Sequence, residues 1–153
     1  MVDLYRELVR AVNALDEAGI PYALAGGLAV SIYTAPRATE DIDLVIGFLD
    51  LARAVEVLGA LGLRAAGAPM RVAGGRMEIQ RLTRIEGADL LQLDLLVPRD
   101  AALAHLLSTR RRVDVEEGPL WVVDVPALRD MKRLRGSAQD CADLERLGGQ
   151  APC

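Results

Sequence analysis

The chain has 153 residues, of which 52% are hydrophobic and only 3% aromatic, with a formal net charge of −4. That suits one domain with a core of Leu, Val, Ala and Ile, and no apolar run approaches the ~20 residues of a membrane span. An acidic chain does not draw nucleic acid by its overall field, and two cysteines, Cys141 and Cys153, make neither a disulfide framework nor a zinc site and read as incidental thiols.

Residues 2–18 read as an amphipathic helix, with Leu4, Leu8, Val12 and Leu15 at helical spacing. Its charged start lacks a signal-peptide core, so a cytoplasmic protein is expected. Gly19 and Pro21 end the helix. Tyr22–Ala25 reads as a short strand, Gly26-Gly27 as a turn, and 28–34 as a short helix stopped by Pro36. Asp41–Ile46 is a strand, and Asp50 is placed to cap a helix over 51–61. Residues 70–97 form a meander: Met70–Ala73 and Arg76–Ile85 flank Gly74-Gly75, and Gly87-Ala88-Asp89 leads into 90–97. A helix is predicted over 100–108, short strands over 111–115 and 120–125, and Pro126 opens a helix to Arg135. A last helix covers 138–147. The expected fold is α+β: one domain over 1–153, a small mixed or antiparallel sheet flanked by helices, with the helices of 126–147 packed on it.

Three aspartates stand out. Alternate strand residues face one side, so Asp41 and Asp43 point together while Ile42, Leu44 and Ile46 face the core. No Lys or Arg on that short strand face relieves their repulsion, so one of the pair should hold its proton more tightly unless a cation intervenes. Asp94 is the lone charge in the apolar run 90–97. Burying an unpaired carboxylate costs several kcal/mol, in round terms of about 3–5. If strands 41–46 and 90–97 are neighbours, the three carboxylates converge. Oxygen-only ligation suits Mg²⁺ or Mn²⁺, and two such ions clamp both oxygens of an in-line phosphoryl displacement. The competing reading has Asp41 capping a turn, Asp43 paired to a distant Arg, and Asp94 on an exposed edge. Gly26-Gly27, between strand and helix, would let backbone N–H groups approach a phosphate.

Gly26-Gly27, thirteen residues, then Asp41-Ile42-Asp43-Leu44, with Asp94 on a later strand, resembles the signature of the polymerase-beta-type nucleotidyltransferase superfamily. Gly27 stands where many members carry Ser, which leaves the phosphate contact to backbone. Two stretches are similar to the AbiEii-like toxin and minimal nucleotidyltransferase branch: 25–43, and Leu128–Arg135 followed by Asp140-Cys141-Ala142-Asp143, where Gln139 replaces the usual Lys. The resemblance implies transfer of a nucleoside monophosphate from an NTP to a hydroxyl on tRNA, protein or a small molecule. Asp41 and Asp43 would hold the metal, and Asp94 would complete the second site and help deprotonate the acceptor. Lys132, the single lysine among 18 basic residues, would meet the triphosphate, with Asp140 or Asp143 orienting it or binding nucleotide. Arg37 and Thr39 would touch phosphate. An antitoxin is an implied partner.

Elsewhere, His105 reads as structural and Trp121 as core, while Arg110–Arg112 could meet RNA phosphates or simply be solvated. Two further readings stay open: a catalytically silent nucleotide- or partner-binding module of the same fold, and a purely structural α+β domain.

Overall fold

The computed structural model describes residues 2–36 and 38–148. Arg37 and Cys153, both singled out above, lie outside them. The first helix, α1 (Leu4–Glu17), buries Leu8, Ala11, Val12 and Leu15, one stripe at helical spacing. Asp3 starts it by accepting the Arg6 backbone N–H at 3.2 Å. There follow β1 (Tyr22–Ala25), α2 (Gly26–Tyr33), β2 (Asp41–Ile46) and α3 (Leu51–Gly59). Then come β3 (Arg64–Ala65), β4 (Met70–Val72), β5 (Met77–Glu86) and β6 (Asp89–Pro98). The chain finishes with α4 (His105–Ser108), β7 (Arg111–Val115), β8 (Gly118–Val122), α5 (Val125–Arg135) and α6 (Ala138–Arg146).

Several boundaries differ from expectation for local reasons. Gly26 and Gly27 are the first residues of α2 rather than a turn ahead of it. Asp50 ends a 3₁₀ turn, and its carboxylate caps nothing. The helix expected over 100–108 is broken into a 3₁₀ turn, Ala101–Leu103, and α4. Asp100 holds that turn tight, accepting the Ala102 N–H at 2.9 Å and the Arg76 guanidinium at 2.7 Å. Strand β8 stops at Val122, because Asp124 already caps α5 by accepting the Ala127 N–H at 2.8 Å. Cys141 is disulfide-bonded, which corrects its reading as an incidental thiol; no described cysteine is free.

The strands form one mixed sheet in the order β3-β5-β6-β2-β1-β8-β7, with β4 also paired to β5. The central strand β2 runs parallel to β6 and antiparallel to β1. Its even-numbered residues Ile42, Leu44 and Ile46 are fully buried, as are Leu93, Leu95 and Val97 of β6. Such apolar burial, at about 25 cal/mol per Å², supplies most of the folding drive. Helices pack in two groups: α1 with α3, and α5 with α2, α4 and α6. Trp121 is only partly buried, and the guanidinium groups of Arg110 and Arg112 lie over its ring at 4.7 and 5.2 Å. Among the described residues no helix is long and apolar enough to cross a membrane.

Candidate active site

Strand register sets the site. Arg81 is paired with Asp94, Asp94 with Asp43, and Asp43 with Ala25. These four residues therefore form one row across β5, β6, β2 and β1, with side chains on one face. Asp41 lies one pleat further along β2 on that face. Immediately after the row, Gly26 opens α2 with φ of +64°, a conformation that suits glycine. A methyl group there would stand 2.0 Å from the Asp43 Oδ2. Gly26 is thus small for two reasons, its backbone angle and the carboxylate pressed against it.

The acidic residues feel one another. The Asp43 carboxyl is pushed up to about 6 by burial and by the charges of Asp94 and Asp41, with Lys132 and Arg135 pulling the other way. Burial and Asp94 also raise Asp41, against the pull of Arg81. Asp94 is not the unpaired charge expected from its apolar strand. Arg81 forks it, Nε to Oδ1 at 3.0 Å and Nη2 to Oδ2 at 3.2 Å. Among the described residues no three acidic, histidine or cysteine side chains stand assembled as a metal cage. The donor set nevertheless fits Mg²⁺ or Mn²⁺ in kind: three carboxylates facing one cavity, one of them made reluctant to ionise by the other two.

Opposite the row, α5 and α6 carry a charge quartet: Lys132, Asp140 and Asp143 are buried, and Arg135 closes it from the exposed side. Lys132, 4% exposed, places Nζ 3.1 Å from the Asp143 Oδ2 and 3.5 Å from the Asp140 Oδ1. Arg135 grips Asp140 with Nε and Nη2, both at 2.7 Å. Asp140 also accepts from the Ser137 N–H and hydroxyl, at 3.0 and 2.7 Å, while its own N–H returns to the Ser137 Oγ. That is a capping box starting α6. Burial works against the charge on Asp140, yet Arg135 and Ser137 together hold its carboxyl down to about 2. Gln139 donates to the Asp143 Oδ1 at 3.0 Å, which places the residue standing for the usual Lys on the anchor rather than in the cavity.

One cavity of about 650 Å³ joins the two sides. Gly26, Gly27, Thr39, Asp41, Asp43, Asp94, Lys132 and Asp140, all singled out in the sequence, line it. Arg81 and Arg135 line it as well and were missed. A third wall is apolar, from Val72, Met77, Ile79 and Leu96. His105 lies elsewhere, bridging the Ala102 carbonyl and the Asp130 carboxylate at 3.0 and 3.2 Å, a structural tie between α4 and α5.

The mixed sheet with its flanking helices is a nucleotidyltransferase fold. No family model matches the sequence, and no curated protein does. Among solved structures, the chain is similar to the lincosamide antibiotic adenylyltransferase LnuA with lincomycin bound: TM-score 0.59 and 14% identity, over 94% of this chain and 95% of that one. It is also similar to ANT(2″)-Ia in complex with adenylyl-2″-tobramycin, with TM-score 0.57 and 16% identity over 94% and 87%. A third is an antigenic nucleotidyltransferase-like protein from Paracoccidioides brasiliensis, with TM-score 0.62 and 18% identity over 95% and 74%. At these identities the likeness is one of fold.

Proposed function

We propose that this chain is a divalent-cation-dependent nucleotidyltransferase that moves a nucleoside monophosphate from an NTP to a hydroxyl and releases pyrophosphate. One observation carries the reading: Asp41, Asp43 and Asp94 face, across a single cavity, two cations fixed by buried carboxylates. Asp41 and Asp43, with Asp94, would hold Mg²⁺ or Mn²⁺, which when bound offsets phosphate charge and aligns the displacement. Lys132 meets the triphosphate as a point charge and Arg135 as a fork. Asp143 and Asp140 keep both from wandering, so little ordering is left for the moment of binding. Gly26 and Gly27 bring backbone close to the phosphates at the start of α2, with Thr39 alongside. Asp94, on the side of the apolar wall, takes the proton of the acceptor hydroxyl.

The acceptor we favour is a small molecule with an apolar body. Val72, Met77, Ile79 and Leu96 supply a surface for one, and the nearby Arg81 is already paired with Asp94. The neighbours holding lincomycin and adenylyl-2″-tobramycin support that choice. A tRNA 3′ end or a protein hydroxyl is the alternative acceptor. Membership of the AbiEii-like branch, with an antitoxin partner, is a narrower form of this proposal and rests on Lys132 standing ahead of Asp140 and Asp143. A catalytically silent nucleotide-binding module is the second reading, favoured by the fork of Arg81 on Asp94. The test incubates the protein with each α-³²P-labelled NTP, Mg²⁺ and cell extract, then separates RNA, protein and small molecules. Label in one fraction, lost with Asp43→Asn, is expected. Mg²⁺-dependent nucleotide binding with no label in any fraction selects the silent module.

A further inference from the structure

Of the three carboxylates in the acidic row, Asp94 is the one whose two oxygens both accept from one side chain. Arg81 reaches it from the adjacent strand, directly across the register, at 3.0 and 3.2 Å. The Asp94 side chain is 9% exposed and that of Arg81 40% exposed. The guanidinium therefore sits toward the open side of the cavity and can swing away without disturbing the core. A forked guanidinium fixes the plane of a carboxylate. It also puts positive charge where a cation would have to sit, and the two cannot share both oxygens.

We propose that Arg81 is a positioning residue that holds Asp94 aligned and occupied, and leaves it only when an NTP offers the guanidinium phosphate oxygens instead. Cation binding at Asp94 is then ordered after nucleotide binding. The empty enzyme is spared a three-carboxylate site that would collect divalent ions, and Asp94 becomes free to act only when there is something to transfer. The inference rests on reading Asp41, Asp43 and Asp94 as cation ligands.

The experiment titrates Mn²⁺ into the protein and follows free Mn²⁺ by electron paramagnetic resonance, first alone and then with saturating α,β-methylene-ATP. Arg81→Gln should bind Mn²⁺ at least about tenfold more tightly than the parent without nucleotide, the scale of a lost charge-assisted fork. Arg81→Lys should also gain, because an ammonium keeps the charge yet cannot cover both oxygens. A pure field effect would leave Arg81→Lys like the parent, and that result overturns the proposal. Adding Asp94→Asn to Arg81→Gln should cancel the gain. With the analogue present, parent and Arg81→Gln should converge. Equal affinities without nucleotide, or a gain that survives Asp94→Asn, overturn the ordering while leaving the transferase reading intact. Mn²⁺ binding with the analogue that is indifferent to Asp43→Asn removes the cation site itself, and this proposal with it. Circular dichroism spectra like the parent's and cooperative thermal unfolding of each variant establish that the fold is preserved.

Discussion

Asp43→Asn should end transfer and, in the absence of divalent ions, make the protein more stable. The Asp43 carboxyl stands at about 6 instead of 3.8, because burial and two neighbouring carboxylates disfavour its charge. A displacement of about two units at about 1.4 kcal/mol each is a penalty of about 3 kcal/mol on the ionised folded state. Asparagine removes the charge but keeps a polar group to satisfy, so a gain of about 1–3 kcal/mol is expected. In a chain of this length that is about 3–10 °C in Tm. The sign in pH follows from linkage. The unfolded carboxyl ionises near its ordinary value and the folded one near 6, so between them the unfolded chain holds fewer protons and parental stability falls as pH rises. The advantage of Asp43→Asn should be complete above about pH 6 and mostly gone by about pH 4. Thermal unfolding in EDTA at both ends of that range reads it directly. With Mg²⁺ and NTP the order should reverse, since only the parent gains a ligand. A variant less stable than the parent at neutral pH in EDTA, or an advantage that ignores pH, would refute the repulsion argument.

Further outcomes follow from neighbouring contacts. Gly26→Ala forces a methyl into the Asp43 carboxylate at 2.0 Å with an unfavourable backbone angle; nucleotide binding should be lost and the unfolding free energy from urea titration lowered by about 2 kcal/mol or more. Lys132→Met removes the ammonium that lies 3.1 Å from Asp143 and 3.5 Å from Asp140, both buried, and should cost about 3–5 kcal/mol by urea denaturation. Asp140, held down to about 2, stabilises the fold above about pH 4 and loses that contribution as pH falls toward 2. Ser137→Ala should therefore move the acid-unfolding midpoint upward, as followed by circular dichroism, and an unmoved midpoint would show that the capping hydroxyl does not hold this carboxyl down.

The acidic row was legible because strands have a period of two: Asp41 and Asp43 had to share a face. The Arg81 partner was legible too. Residues 87 and 88 make a two-residue connection, so Glu86 pairs with Asp89, and counting back brings Arg81 opposite Asp94. Reading Asp94 only along its own strand hid this. The Ser137–Asp140 box was likewise written in the sequence, with Asp where Glu is usual. Other features had no local signal. Strand β3 has two residues, too few for a period, and is recruited by the long β5, whereas β4 falls within the expected Met70–Ala73 arm of the meander. The near-contact of Gly26 with Asp43 depends on how β1 lies against β2, and the cover over Trp121 depends on Arg110 and Arg112 reaching across its ring.

The quartet between α5 and α6 is electrically closed, two cations against two carboxylates, with Gly136 in a left-handed turn between the helices. A triphosphate drawing on Lys132 and Arg135 opens that balance: what it takes from the cations, Asp140 and Asp143 must give up. Because Asp140 is also the first fastening of α6, the ligand's charge reaches the end of the chain through the same atoms that begin its last helix. On the proposed reading, nucleotide capture and the seating of the α5–α6 hairpin would be one equilibrium observed from two sides.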